Sequence, residues 1–228
     1  MGKILILAAY VVYASFWARF FTHFLVWLRA AHRRDRGGAA FSRASGQVCV
    51  LTAADVFLFA RVLDVNPALW VGEWSFHASF LLVLLRHLRY FLTPIPAWVW
   101  WMQVPGLIAG YILPVSLLYI LFVRLLTKQE KFTSPMNLFL LGLVLAISSI
   151  GVLMYTLFKP DLIDVKLFMV GILSGAPTPA PESLLFLLHF SLVLVLVPFL
   201  PTHIITSPLV MIEARKREQG LHLVMHEK

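Results

Sequence analysis

Residues 74–91 read WSFHASFLLVLLRHLRYF, a run that is apolar enough to enter a bilayer and yet carries His77 and His87, ten residues apart. A polar side chain inside membrane hydrocarbon is costly unless another group satisfies it. One such histidine would be explained by a hydrogen bond to a neighbouring helix. Two in one run direct attention to the residues elsewhere in the chain that can pair with them.

The composition of the 228-residue chain is that of an integral membrane protein. It is 60% hydrophobic and only 13% charged, whereas about a quarter of the residues in a soluble domain are charged. The length predicts a single membrane domain over 1–228. The net charge of +8 comes from basic residues at membrane boundaries. We therefore expect the lipid bilayer, and no nucleic acid, as the partner of these side chains.

The single cysteine, Cys49, limits the cofactors that the chain can hold. One thiol excludes a disulfide framework and the CxxCH motif of covalently attached haem. It also excludes an iron–sulfur cluster, which normally takes four cysteines. A haem in this chain would therefore be held without a covalent bond.

Five stretches are long and apolar enough to cross a membrane as helices, which takes about 20 residues. The predicted spans cover about 4–28, 72–93, 105–126, 136–158 and 183–206. The first is not expected to be a cleaved secretion signal, because an arginine-rich segment follows it directly and no small-x-small cleavage site is present. The sequence therefore predicts an all-α integral membrane protein, a bundle of five transmembrane helices.

Residues 48–70 are apolar, but Asp55, Arg61 and Asp64 interrupt them. With five spans, thirteen of the nineteen Lys and Arg residues fall on one side of the membrane, five on the other and one inside the first span. A sixth span would place the basic segment 29–43 opposite the other basic segments. We therefore predict that 48–70 is an amphipathic segment at the interface. The positive-inside rule then places the N-terminus outside and the C-terminus in the cytoplasm.

Two connections on the predicted outer side have compositions of their own. Residues 93–103, TPIPAWVWWMQ, concentrate tryptophans, as an aromatic belt at a membrane surface does. Residues 159–182 form a predicted loop that ends in GAPTPAPE, which is too rich in proline to be helical there. Both compositions fit segments that lie outside the hydrocarbon.

The fifth predicted span, 183–206, carries a second pair of histidines, His189 and His203. The second and fifth spans are antiparallel, because one runs outward and the other inward. His77 and His203 then share the cytoplasmic half of the membrane. His87 and His189 share the outer half, so two histidines meet at each of two depths.

The two pairs are spaced unequally along their helices. A helix that rises about 1.5 Å per residue separates the histidines of the second span by roughly 15 Å and those of the fifth by roughly 21 Å. Kinks at Pro198 and Pro201 can bring the longer spacing toward the shorter one. Four histidines in two depth-matched pairs are harder to explain as isolated hydrogen-bonding residues than one would be.

Each depth offers two histidines with no nearby Cys or Asp, which limits the kind of metal site. A structural zinc ion normally takes four protein ligands. Haem iron needs only two axial ligands from the protein, and helix bundles hold such groups between facing helices. The pattern therefore predicts two b-type haems, each with two histidine ligands, stacked across the membrane. Iron with both axial positions filled cannot bind a substrate, which points to electron transfer.

Charged residues beside the histidines have both an ordinary and a functional explanation. Arg86 and Arg89 flank His87 and either extend to the membrane surface or pair with haem propionates or a quinone carbonyl. Glu73 lies one turn before His77. We favour the explanation that Glu73 is a carboxylate at the membrane interface over the alternative that it accepts a hydrogen bond from the His77 imidazole.

Packing explains other residues of the spans. Gly106 and Gly110 form a GxxxG pattern in the third span, which helix packing accounts for. Arg19 and His23, in the first span, are expected to reach the surface or contact neighbouring helices rather than bind a metal. None of the four is needed for the predicted cofactor sites.

The histidine pattern resembles that of a known family. Five spans, a His-x9-His pair in the second and two histidines in the fifth are similar to the gamma subunit of respiratory nitrate reductase, a di-haem cytochrome b. Residues 55–90, DVFLFARVLDVNPALWVGEWSFHASFLLVLLRHLRY, and 198–218, PFLPTHIITSPLVMIEARKRE, resemble one branch of the family more closely. That branch comprises the cytochrome b subunits of membrane redox complexes in sulfate reducers, such as those of the Hmc and Dsr complexes.

The resemblance implies a ligand for each iron on each of two helices. His77 and His203 would bind the iron of the cytoplasmic-side haem, and His87 and His189 that of the outer one. This agrees with the pairing by depth. The shorter histidine spacing in the fifth span and the additional segment 48–70 set the chain apart from nitrate reductase itself.

The resemblance also implies an electron-transfer subunit of an oxidoreductase complex in a bacterial inner membrane, in anaerobic sulfate respiration. It would relay electrons between quinol or a periplasmic multihaem cytochrome c and a cytoplasmic iron–sulfur subunit, beside other membrane subunits. Residues 29–47 and 207–217 are the predicted docking surface. No quinone motif is legible, so a quinone site stays an open alternative. The competing hypothesis is a haem-free membrane scaffold or transporter subunit.

Overall fold

The computed structural model describes residues 2–35, 46–126 and 134–226. Within those residues the chain is almost entirely helical and contains no β-strand. The α-helices are α1 (Gly2–Asp35), α2 (Gly46–Phe57), α3 (Ala60–Val65), α4 (Pro67–His87), α5 (Ala97–Trp101), α6 (Gln103–Leu126), α7 (Pro135–Thr156), α8 (Leu162–Ser174), α9 (Leu184–Leu196) and α10 (Leu200–His226). Part of the predicted docking segment 29–47 lies outside the described residues.

Among the residues that the structure describes, five helical stretches are long and apolar enough to cross a membrane, which confirms the predicted number and makes the chain a multi-pass membrane protein. They cover Gly2–Arg29, Pro67–Tyr90, Gln103–Leu126, Pro135–Thr156 and Leu184–Glu218. The last includes a 3-10 turn at Val197–Phe199, where a proline kink was predicted. The orientation of the termini stays a prediction.

The second span begins before the predicted residue 72 because its N-terminus is capped. The Asn66 side chain accepts a hydrogen bond of 3.0 Å from the backbone N–H of Leu69. Pro67 occupies the first turn, where its missing N–H and fixed φ cost nothing. The helix therefore takes in residues that hydropathy alone assigned to the amphipathic segment.

Contacts divide the chain into two compact units. Unit 1 is Met1–Val12 with Asn66–Leu196, and unit 2 is Tyr13–Val65 with Val197–Lys228. Unit 1 contains the second, third and fourth spans. The single membrane domain over 1–228 stays a prediction.

The centre of unit 1 is the antiparallel pair of α4 and α6, which make its most extensive helix contact. Two glycines let the backbones approach closely. A Cβ on Gly72 would lie 2.7 Å from Cγ1 of Ile120. A Cβ on Gly106 would lie 2.6 Å from Cβ of Arg86 and 2.9 Å from the carbonyl oxygen of Leu82. All three distances are shorter than real Cβ atoms tolerate, so at both positions only glycine fits without a shift of its neighbours.

Polar side chains join the same two helices near both of their ends. Arg124 of α6 donates a hydrogen bond of 2.8 Å to the carboxylate of Glu73 in α4. At the other end, Arg89 in the 3-10 turn after α4 donates one of 2.8 Å to Oε1 of Gln103, the first residue of α6. Such contacts between helices fix their register, because lipid offers no competing partners.

An aromatic core in unit 1 joins α8 to α9. Phe168 is fully buried, with ring centroids 5.8 Å from Phe186 and 5.5 Å from Phe190, edge to face. Ala9 and Val165 complete this cluster. Edge-to-face contacts are favourable beyond their buried area, so they anchor the short helix α8.

Helix α8 lies inside the predicted loop 159–182 and was not foreseen. Asp161 caps its N-terminus, with its side chain accepting from the backbone N–H groups of Ile163 and Asp164. Gly175 ends it in the left-handed region at φ 74°. The GAPTPAPE segment that follows is not helical, as predicted.

In unit 2 the predicted segment 48–70 divides into short helices. α2 and α3 are separated near Phe59, which has a positive φ of 53°. Neither is long enough to cross a membrane, so the choice of five spans over six is confirmed. Position at the interface stays a prediction.

A buried carboxylate ties α2 to α10 within unit 2. The Asp55 side chain is 0% exposed and accepts hydrogen bonds of 2.6 and 2.7 Å from Arg215. It accepts another of 3.1 Å from Arg61. Burial raises the pKa of the Asp55 carboxyl, but the hydrogen bonds from Arg215 and Arg61 outweigh it and hold that pKa below its ordinary value.

We expect Gly106→Ala to destabilise the protein by roughly 1–3 kcal/mol, the usual cost of overpacking, because the new methyl would meet the α4 backbone. Thermal unfolding in detergent measures the loss. Gly110→Ala is the matched control, since a Cβ there has nothing within 4 Å. Equal effects of the two substitutions would contradict the close approach at Gly106.

We expect Asp55→Asn to loosen α10, because it leaves two arginines without their shared carboxylate. The Arg215 and Arg61 side chains are 21% and 32% exposed. The free energy that holds α10 in place should therefore fall by about 2 kcal/mol, which is less than for a fully buried ion pair. Hydrogen exchange of α10 peptides measures it. Asp64→Asn, at an exposed carboxylate of α3 that attracts Arg215 without a hydrogen bond, should change exchange much less than Asp55→Asn.

The same ion pairs predict how the stability of unit 2 depends on pH. A carboxyl with a lowered folded-state pKa contributes its full stabilisation above its ordinary value, here 3.8. That contribution is lost as the pH falls below 3.8 and through the folded-state pKa. We therefore expect the protection of α10 amides, corrected for the pH dependence of intrinsic exchange, to fall at acidic pH in the wild type but not in Asp55→Asn.

Candidate functional site

Two of the predicted ligands, His87 and His189, lie half-buried in unit 1. His87 is the last residue of α4, and its Nδ1 is 2.7 Å from the carbonyl oxygen of Val83. His189 lies in α9, and its Nδ1 is 3.1 Å from the carbonyl oxygen of Ile147 in α7. A carbonyl oxygen only accepts hydrogen bonds, so Nδ1 carries the proton in both rings. The lone pair of each neutral imidazole is then on Nε2.

His87 and His189 are far apart in the chain but belong to the same compact unit. Room for His189 comes from Gly151 of α7. A Cβ there would lie 3.4 Å from Cε1 and 3.8 Å from Nδ1 of His189. A methyl would make ordinary contact, but a longer side chain would take the place of the ring. Unit 1 therefore contains both predicted ligands of the outer iron, and Gly151 makes space for one of them.

Arg86, beside His87, is held by an aromatic ring. Its guanidinium lies over the ring of Tyr155, 5.1 Å from the centroid. The amino group of Lys159 approaches the same ring at 5.8 Å. Cations attracted to an aromatic face are oriented by it. Two cations, one of them the chain neighbour of His87, therefore lie against the ring of Tyr155.

Arg89 is half-buried, and one of its N–H groups finds no acceptor among the described residues. It donates hydrogen bonds to the hydroxyl of Tyr90 and, at 2.8 Å, to Oε1 of Gln103. Its Nε is buried and has no hydrogen-bond partner among the residues that the structure describes. An unpaired buried donor costs about 1–3 kcal/mol. This N–H is therefore suited to an acceptor on a bound group.

His77, the third predicted ligand, belongs to a group that we call the His77 cluster, made of Glu73, His77 and Arg124. Nδ1 of His77 is 2.8 Å from the carbonyl oxygen of Glu73 and 3.9 Å from its carboxylate. The same carboxylate accepts a 2.8 Å hydrogen bond from Arg124. The Glu73 side chain is only 16% exposed. The Glu73 carboxylate is paired with a cation, and its place at the membrane interface stays a prediction.

The fourth predicted ligand, His203, lies in α10 of unit 2, where it is exposed. Its pairing with His77 stays a prediction. The assignment of all four histidines as iron ligands, and of Arg86 and Arg89 as cofactor-binding residues, likewise stays a prediction.

Two polar residues of α1 contact other parts of unit 2. Nε2 of His23 lies 3.2 Å from the hydroxyl of Thr202. Arg19 donates a hydrogen bond of 3.2 Å to the carbonyl oxygen of Pro198. These contacts account for the two side chains within the fold, as the sequence favoured.

Sequence reasoning missed two residues of the candidate site, Gly151 and Arg124. Gly151 is one of several small residues in α7, and such a residue indicates a close approach only once its neighbour is known. Arg124 is a cation in the last turn of α6, a position that membrane topology alone explains. Across the described residues no group of three or more His, Cys, Asp or Glu side chains comes together. A haem needs no such group, because two axial ligands suffice.

Two curated proteins are similar to this chain, and both are named Hdr-like menaquinol oxidoreductase cytochrome b-like subunit. The one from Archaeoglobus profundus is 32% identical over 150 residues, which cover 58% of this chain and 44% of that protein. The one from Archaeoglobus fulgidus is 30% identical over 149 residues, covering 58% and 45%. No family model and no solved structure matches.

The chain therefore spans less than half the length of the curated relatives that it matches. Both matches confirm the resemblance to cytochrome b subunits of redox complexes that the histidine pattern indicated.

Proposed function

We propose that this chain is the cytochrome b subunit of a membrane redox complex and holds two b-type haems. His87 and His189 would bind the iron on the outer side of the membrane. His77 and His203 would bind the iron on the cytoplasmic side. A haem held by two histidines in this way would supply one-electron transfer and would leave no place on its iron for a substrate. The observation that carries the proposal is the hydrogen bonding of the three histidines in unit 1.

Each of these three rings directs its Nδ1–H to a backbone carbonyl oxygen, at 2.7 Å for His87, 2.8 Å for His77 and 3.1 Å for His189. Metal-binding histidines almost always donate their second ring N–H in this way, which fixes the tautomer and the ring orientation. Hydrogen bonding between helices would be satisfied by either tautomer, whereas an iron at Nε2 requires this one. The arrangement therefore fits the donor chemistry of a haem ligand.

The cations beside His87 fit the other end of a haem. Haem carries two propionate carboxylates, and a guanidinium is a strong donor to such groups. The buried Nε of Arg89, which lacks an acceptor among the described residues, would gain one. Arg86 would supply a second cation. A quinone carbonyl would satisfy the same donor, so either group is compatible with this corner of unit 1.

The names of the two relatives favour menaquinol over a periplasmic multihaem cytochrome c as the electron donor. The chain would relay electrons from that donor to a cytoplasmic iron–sulfur subunit, because its single cysteine provides no cluster of its own. Other membrane subunits would lie beside it. We place the complex in the cytoplasmic membrane. A bacterial host and a role in sulfate respiration are further parts of the proposal.

Replacing either ligand of one iron should remove the same haem. We expect His87→Ala and His189→Ala to lose one haem and keep the other, and His77→Ala and His203→Ala to lose the opposite one. Potentiometric titration of the visible α band, with EPR of the low-spin signals, identifies which haem is missing. If His87→Ala and His189→Ala lose different haems, the pairing is wrong. A wild-type protein without any haem spectrum would favour a haem-free scaffold or transporter subunit.

A second variant tests the His189 site and leaves every ligand in place. Gly151→Leu puts a side chain where the imidazole lies, so it should lose the same haem as His189→Ala. Gly142→Leu is the matched control in the same helix, because a Cβ there meets nothing within 4 Å. Equal haem loss in the two leucine variants would indicate general damage to α7 and remove the support that Gly151 gives.

A further inference from the structure

The carboxylate of Glu73 lies between a proposed iron ligand and a cation of the neighbouring helix. Its Oε1 accepts a hydrogen bond of 2.8 Å from Nη2 of Arg124, and its Oε2 is 3.9 Å from Nδ1 of His77. The backbone carbonyl of the same residue accepts the Nδ1–H of His77 at 2.8 Å. One residue therefore acts on the imidazole twice, through its backbone and through its charge.

The surroundings of the His77 cluster make that charge effective. The side chains of Glu73, Arg124 and His77 are 16%, 26% and 32% exposed, so water screens them only in part. Charges a few ångströms apart interact much more strongly in such a site than in water. A buried ion pair is by itself a weak source of stability. The pair also helps to fix the register of α4 against α6, but that role does not account for the carboxylate lying 3.9 Å from Nδ1 of His77.

We propose that Glu73 is a positioning residue for His77 and lowers the midpoint potential of the haem which that imidazole holds; this inference rests on the proposed function. The carboxylate attracts the Nδ1 proton, which makes the ring a stronger electron donor to the iron. Its negative charge also disfavours the reduced, more electron-rich state. Arg124 orients the carboxylate and offsets part of its charge.

Neutralising the carboxylate and neutralising the guanidinium of this pair should therefore shift the midpoint potential of the His77 haem in opposite directions. Glu73→Gln should raise the midpoint potential of the haem that His77→Ala loses, and Arg124→Gln should lower it. The potential of the other haem should not move in either variant. Redox titration of the purified protein measures both potentials, and EPR g-values of the low-spin iron report the change in imidazole character. Glu182→Gln, at an exposed carboxylate elsewhere in unit 1, is the matched control and should leave both potentials unchanged.

The possible outcomes separate this inference from the proposed function. A wild-type protein without haem would overturn both. Two haems whose potentials do not respond to Glu73→Gln would overturn the tuning role alone, as would shifts of equal size at both haems. If Glu73→Gln fails to retain the haem, Arg124→Gln and Glu73→Asp decide. A lowered midpoint potential in Arg124→Gln together with a potential near wild type in Glu73→Asp supports the proposal. Midpoint potentials that move in the same direction in both variants reject it.

Discussion

The close approach of α4 and α6 is the constraint on which the arrangement of unit 1 depends. In lipid there is little hydrophobic drive between helices, so small residues and interhelical polar contacts determine which helices pack and in what register. Gly72 and Gly106 lie near opposite ends of the antiparallel pair, where added Cβ atoms would approach within 2.7 and 2.6 Å of the partner helix. These contacts fix the depth and rotation of α4. The positions of both His77 and His87 follow from them.

The same two helices also give the two histidines of α4 opposite electrostatic surroundings. His77 has a carboxylate beside it, held in place by Arg124. His87 has Arg86 and Arg89 as chain neighbours, and the latter has a buried N–H with no partner in the described part of the chain. Burying a charged side chain in a membrane has a high free-energy cost, so such side chains occur mainly where they have a functional role. Their concentration at the two histidines, with the mostly apolar residues 78–85 between, fits the proposal of two haem sites with different potentials on one helix.

Hydropathy and spacing predicted the five spans and the two histidine-bearing helices, because both depend on composition within one segment. Contacts across helices could not be predicted in this way. Glu73 and Arg124 meet only through the register of α4 against α6, and Gly151 matters only because α9 places His189 on it. Helix α8 was a different case, since Asp161 before an apolar run and Gly175 after it were legible cap signals. The proline-rich end of residues 159–182 led instead to the prediction of a loop over the whole segment.

The haem content of the purified chain tests the central claim most directly. Pyridine haemochrome absorbance, measured against protein concentration from amino-acid analysis, gives the number of b-type haems per chain. The account predicts two, both extracted by acidified organic solvent, because the single cysteine excludes the CxxCH motif of covalent attachment. A value near one would contradict the paired-histidine arrangement. A value near zero would contradict the assignment as a cytochrome b subunit altogether.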